Sequence, residues 1–87
     1  MYIGKVIGNV VATKKDPKLV GSKLLIVCPV DRANQEKDAM VVAIDAVGAG
    51  KGEVVLVVKG STARQALGIT DAPIDAAIIG IVDTMEV

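Results

Sequence analysis

Val54-Val55-Leu56-Val57-Val58 puts five aliphatic residues in a row between Glu53 and Lys59. Four are β-branched, which suits a pleated strand. Successive side chains of a strand point to opposite faces. Val54, Leu56 and Val58 therefore face one way, and Val55 and Val57 the other. Both faces are apolar, whereas a strand in an isolated small barrel keeps one face wet. Met40–Val47, MVVAIDAV, has the same two-faced character. A chain of 87 residues has little material for a second cover. A neighbouring subunit is the simplest candidate.

Composition narrows the ways such a chain can be stabilised. Small domains rely on disulfides, a metal or oligomerisation. Cys28 is the single cysteine, so no internal disulfide forms. With no histidine and one thiol, a tetrahedral zinc shell is not expected. Oligomerisation remains. Hydrophobic residues make up 52% of the chain and aromatics only 1%, so its apolar area comes from many small aliphatic side chains. The formal net charge is zero. That argues against a nucleic-acid binder, which needs a basic face to replace counterions. No secretory leader and no apolar run near the length of a membrane helix are visible. With the lone cysteine, this predicts a cytoplasmic protein with no membrane partner.

The pattern predicts one domain, residues 1–87, of five strands and one short helix. Met1–Thr13 reads as a first strand interrupted by Gly4 and Gly8, where a sheet bulges, bends or lets another backbone come close. Lys14–Ser22 is a loop begun by Asp16-Pro17. Lys23–Val30 is a second strand, with Pro29 near its end. Asp31–Ala39 is a solvated polar loop. Met40–Val47 and Glu53–Lys59 read as a hairpin around the turn Gly48-Ala49-Gly50-Lys51-Gly52. Ser61–Leu67 is a short helix. Thr62 with Gln65, or Ser61, supplies its N-cap, and Gly68 its C-cap. Thr70–Pro73 turns the chain into a last strand, Asp75–Val87, that contains Gly80. Short strands separated by glycine and proline turns predict a small antiparallel barrel.

No catalytic constellation stands out. The commonest general base is missing with histidine. Cys28 sits among Ile26, Val27 and Val30, an apolar setting that suits a structural thiol. Asp45 and Glu53 flank the glycine turn, but nothing nearby would position a substrate. A turn hydrogen bond for Asp45 and a surface or intersubunit ion pair for Glu53 account for them. Gly50-Lys51 resembles part of a phosphate loop. However, Gly52 stands where Ser or Thr must hold magnesium, Asp45 stands where the first glycine belongs, and a strand follows instead of a helix. The dinucleotide fingerprint also fails, at Glu53. Arg64, near the helix start, suits either a bidentate interface contact or an exposed helix surface.

Taken in order, several segments resemble the bacterial microcompartment vertex proteins of the EutN/CcmL family. They are Gly8–Lys14 (GNVVATK), Leu19–Leu25 (LVGSKLL), Val42–Glu53 (VAIDAVGAGKGE), Gly60–Arg64 (GSTAR), Pro73–Ala76 (PIDA) and Gly80–Asp83 (GIVD). The resemblance spans essentially the whole chain. It implies a five-stranded barrel related to the oligonucleotide-binding (OB) fold, assembled as a homopentamer. Such pentamers cap the fivefold vertices of a protein shell whose facets are hexameric shell proteins. It implies no catalytic residues and no cofactor. It also implies that Gly48, Ala49, Gly50, Glu53, Ser61, Thr62 and Arg64 lie at or near subunit contacts or the central pore.

The alternative is an OB-like binding module for nucleic acid or a small anion at the glycine turn. Base-stacking modules use aromatic platforms, and this chain has only Tyr2. A co-chaperonin-like ring barrel is a third reading, but the long mobile loop of that class has no counterpart here.

Overall fold

A computed structural model describes all residues except 14, 32, 34, 36–38, 70 and 87. Those positions take in most of the charged part of the expected Asp31–Ala39 loop, as well as Lys14, Thr70 and Val87, so the expectations for them lie outside the described residues. Strands β1 (Tyr2–Asn9), β2 (Leu24–Pro29), β3 (Val41–Asp45), β4 (Val54–Lys59) and β5 (Ala76–Val82) close into one barrel, with helix α1 (Gly60–Leu67) between β4 and β5. The expected five strands and one short helix are all present. The ends are shorter than expected: β1 stops at Asn9 and β5 at Val82.

The strand order around the barrel is β1-β2-β3-β5-β4. This corrects two expectations. β3 and β4 do not form a hairpin, because β5 lies between them and pairs with both. The barrel is also not wholly antiparallel, since β5 runs parallel to β3, with Ile44 opposite Ala77 and Asp45 opposite Ile78. The other pairings are antiparallel. The glycine segment after β3 therefore crosses the end of the barrel instead of turning back on its own strand. Ala49 drops from it into the interior and is fully buried with Val6, Val27, Val55, Val57 and Ile78.

The two-faced strands have two covers within the chain. Val55 and Val57 fill the barrel interior with Leu25, Val27 and Ile78. Outside, Val58, Ile44 and Ala77 are covered by Ala63 of α1 and by Ala72 and Ile74 of the segment leading to β5. Part of the cover assigned to a neighbour is thus supplied by α1 and its following loop. Val54 and Leu56 stay only half-buried.

Glycines mark the places where the sheet departs from regularity. β1 carries an extra residue, Ile7, between Val6 and Gly8 in its pairing with β2. β5 carries an extra residue, Ile79, beside Gly80. Such bulges bend and twist a strand, which helps a narrow sheet to close. Gly4 serves close approach instead. A Cβ there would meet Val27 Cγ1 inside any permissible separation and lie 3.3 Å from the Cys28 carbonyl oxygen.

Helix α1 begins one residue earlier than expected, immediately after β4. Lys59 occupies the N-cap position with no side-chain hydrogen bond, so neither Thr62 nor Ser61 caps it. Gly60 adopts φ +65°, and its N–H donates to the Asp75 carbonyl at 2.8 Å. The strand-to-helix corner is set by this tertiary bond and not by a capping box. Gly68 does cap the C-terminus in the left-handed conformation, donating its N–H to the Arg64 and Gln65 carbonyls.

Gly4→Ala is expected to lower stability by about 1–3 kcal/mol, because the β-branched Val27 cannot move aside in a filled interior. Gly8→Ala meets only Ile26 Cδ1, at 3.8 Å, and is the matched control. Denaturant midpoints for the two variants check the difference.

Candidate subunit interface

Sequence patterning points to the segment from β3 to α1. Asp45, at the end of β3, has a side chain only 3% exposed. Its Oδ1 accepts the N–H groups of Val47 and Gly48, both at 3.1 Å. Lys23 Nζ lies 3.8 Å from Asp45 Oδ2 and donates to the Ala49 carbonyl at 2.6 Å. Glu53 Oε1 accepts the Gly50 N–H at 2.7 Å, and the Glu53 N–H donates to the Gly50 carbonyl at 3.1 Å. The Gly52 N–H donates to the Val6 carbonyl at 2.8 Å, which ties the segment to β1. Asp45 thus makes the expected turn bonds. Glu53 accepts from its own turn, and no ion pair to it is seen among the described residues.

Both carboxylates are therefore engaged with backbone N–H groups, where a charge-assisted bond is strong. They hold the shape of the crossing. Lys23 is a third member that sequence patterning did not single out. The register of β2 on β3, with Leu24 opposite Ile44, puts Lys23 beside Asp45. That register was the only route to finding it.

The other expected contact residues lie elsewhere. β4 separates Glu53 from Gly60, and five steps of strand from Val54 to Lys59 span roughly 17 Å. Gly48, Ala49, Gly50 and Glu53 therefore stand at one end of β4, and Ser61, Thr62 and Arg64 at the other. The structure does not bring the seven together within one chain. Ser61 and Thr62 are exposed at the start of α1, as is Gly48 in the crossing. Arg64 is half-buried, and its Nη1 donates to the Ile74 carbonyl at 2.8 Å. In the single chain it pins α1 to the approach to β5.

Tyr2 closes the barrel end where β4 meets α1. Its ring packs against the interior cluster, with Lys59 Nζ 5.9 Å from the ring centre. Its hydroxyl is buried and finds no hydrogen-bond partner among the described residues. Burial first, and the Asp75 carboxylate second, push the phenol above its usual value.

No group of three or more metal-binding side chains occurs among the described residues. No described helix is long and apolar enough to cross a membrane.

The fold and site together define a class: a small closed barrel of OB-like strand order, with a tightly held glycine crossing and apolar outer faces. The profile of the family described as "Ethanolamine utilisation protein EutN/carboxysome" matches residues 1–83. The chain belongs to this EutN/CcmL family. It is 50% identical to the bacterial microcompartment shell vertex protein GrpN of Rhodospirillum rubrum strain F11, over 99% of this chain and 97% of that one. It is 48% identical to the carboxysome shell vertex protein CcmL of Synechocystis, covering all of this chain and 87% of the relative. The solved GrpN from R. rubrum, described as a pentameric microcompartment shell protein, superposes with a TM-score of 0.91 at 48% identity, covering all of this chain and 99% of that one.

Arg64→Ala is expected to cost about 1–2 kcal/mol by removing a charge-assisted, half-exposed bond. Arg64→Lys should recover part of it. Thermal melts of both variants test this. Tyr2 is expected to ionise above pH 10. Its neutral form is favoured in the folded state, so its contribution to stability is full below the unfolded pKa and is lost as pH rises through the folded one. Phenolate absorbance in native and denatured protein reads the two values. A native midpoint at or below the denatured one would count against a buried hydroxyl.

Proposed function

We propose that this chain is a structural shell protein, a homopentamer that caps the fivefold vertices of a bacterial microcompartment in the cytoplasm. The observation that carries the reading is full-length similarity, in sequence and in structure, to a pentameric microcompartment shell protein. The proposed neighbours in the shell are hexameric shell proteins. The role is structural and not catalytic. It depends on shape and surface contacts, and the carboxylates nearest the glycine crossing are spent on backbone bonds.

In this assembly the two groups at the ends of β4 bracket the subunit contact or the pore region. Gly48, Ser61 and Thr62 present exposed surface there. Ala49, Gly50 and Glu53 hold the crossing in shape, and Arg64 holds α1. A closed ring needs a heterologous contact, in which one patch meets a different patch on the next copy. The binding-module alternative finds no observation in its favour. Its one available aromatic, Tyr2, is packed against the barrel interior.

Native mass spectrometry is the direct test. The expected species has five times the 8.9 kDa chain mass. A stable monomer or dimer at micromolar concentration would overturn the reading.

A further inference from the structure

One groove on the outside of the barrel has a lining that the shell role does not use. It lies beside β3, between Val42 and residues 73–75, which lead into β5. Leu19, Leu24, Val42, Ile44 and Ile74 give it aliphatic walls, and Asp75 is the one charged residue in its lining. Its volume is about 190 Å³. An apolar cavity of about 150 Å³ holds a benzene ring, so the groove has room for an aliphatic chain of about four carbons.

Strand pairing explains why the groove is there. The parallel ladder between β3 and β5 starts at Ile44 and Ala77. Before that pair the chain turns away from β3. The Ile74 N–H donates back to the Ala72 carbonyl, and the Asp75 carbonyl accepts from Gly60. The Asp45 N–H donates to the Lys23 carbonyl, on the β2 side. The backbone groups of a strand alternate in direction, so those of Ala43 and Asp45 face β2, and those of Val42 and Ile44 face β5. Ile44 finds its strand partner there. Val42, two residues before the ladder begins, meets no strand, and its carbonyl faces the gap. Its side chain is 49% exposed.

Asp75 adds charge at the mouth. It is exposed, and its carboxylate makes no ion pair among the described residues. The lysines next to Leu19 and Leu24 are engaged elsewhere, Lys18 with Asp71 and Lys23 with Asp45. The charge of Asp75 reaches Tyr2, whose phenol it helps to push up. An aliphatic slot therefore opens beside a carboxylate and a backbone carbonyl. An anion would be repelled there, and an uncharged hydrocarbon would leave both acceptors unused. A primary ammonium is a compact cation with three donors, enough to serve both acceptors and still face water.

We propose that this groove binds a short-chain primary alkylammonium ion, with its tail along Leu24, Val42, Ile44 and Ile74 and its ammonium bonded to the Asp75 carboxylate and the Val42 carbonyl. The site is built within one chain, so it does not depend on the ring proposed above.

Titration of the wild-type protein with n-butylammonium chloride at neutral pH, followed by methyl NMR, is the test. Saturable shifts are expected at the Leu19, Leu24, Val42, Ile44 and Ile74 methyls, with a Kd in the low millimolar range. n-Butanol, with the same tail and no charge, and butyrate, with the opposite charge, should each bind at least about tenfold more weakly. Asp75→Asn keeps the backbone carbonyl that accepts from Gly60, so it is expected to fold, and to weaken butylammonium about tenfold through loss of a charge-assisted bond. Val42→Lys, at an exposed position, lays a tethered ammonium stem in the groove and should abolish the shifts. Circular dichroism checks the folding of both variants. Butanol binding as tightly as butylammonium, or undiminished binding to folded Asp75→Asn, overturns the proposal. So does the absence of saturable shifts in the wild type at tens of millimolar. Native mass spectrometry of the same samples reads the ring separately: a monomer that shows these shifts overturns the ring and keeps the site.

Discussion

The pairing of β5 with both β3 and β4 is the constraint on which the rest of the molecule depends. Val57 opposite Ile78 and Ile44 opposite Ala77 close the barrel. With β5 between them, β3 and β4 cannot touch, and their connection has to cross the barrel end. That crossing needs a short side chain pointing inward and little bulk on either side. Gly48-Ala49-Gly50 meets both demands, with the Ala49 methyl filling the interior. The same insertion places α1 outside, where Ala63 seals Val58 and Ala77. The barrel end, the helix position and the outer hydrophobic layer therefore follow from one strand placement.

The polar groups around the crossing show how the chain uses its few charges. Asp45 and Glu53 accept backbone N–H groups, and Lys23 donates to a backbone carbonyl. A buried backbone group without a partner is costly, and a crossing that leaves the sheet ladder exposes several. These side chains meet that demand and leave little free for chemistry. In the family to which the chain belongs, relatives are named as shell vertex proteins. Such a role rests on surfaces held in fixed shape, and the crossing is built to hold its shape.

The run Val54–Val58 shows how one stretch of sequence serves several surfaces. Val55 and Val57 belong to the interior, and Val58 to the layer beneath α1. Val54 and Leu56 are left half-buried. Alternation along the strand puts neighbouring valines in different layers. Apolar area that appears redundant in sequence is divided among a core, a helix seat and an open face.

Local chemistry was legible in the sequence wherever it is settled within a few residues. Apolar runs marked the strands, Gly68 the helix end, and Gly8 and Gly80 the irregular places in the sheet. The turn bonds of Asp45 could be read because an aspartate bonds N–H groups two and three residues ahead. The likeness to the family was legible because its segments recur in order along the whole chain. Strand order was not. A hairpin between β3 and β4 satisfies every local preference, and only the competing partnership of β5, distant in sequence, rules it out. The N-cap was misread for the same reason, since Gly60 finds its partner at Asp75 and not at Thr62 or Gln65. Lys23 was missed because its partners lie across a strand pairing. The sequence by itself determined which segments become strands and that both faces of β4 are greasy, since propensity and alternation are local. Tertiary structure alone decided which strands meet and which apolar face stays open, because pairing is settled by competition among residues far apart in the chain.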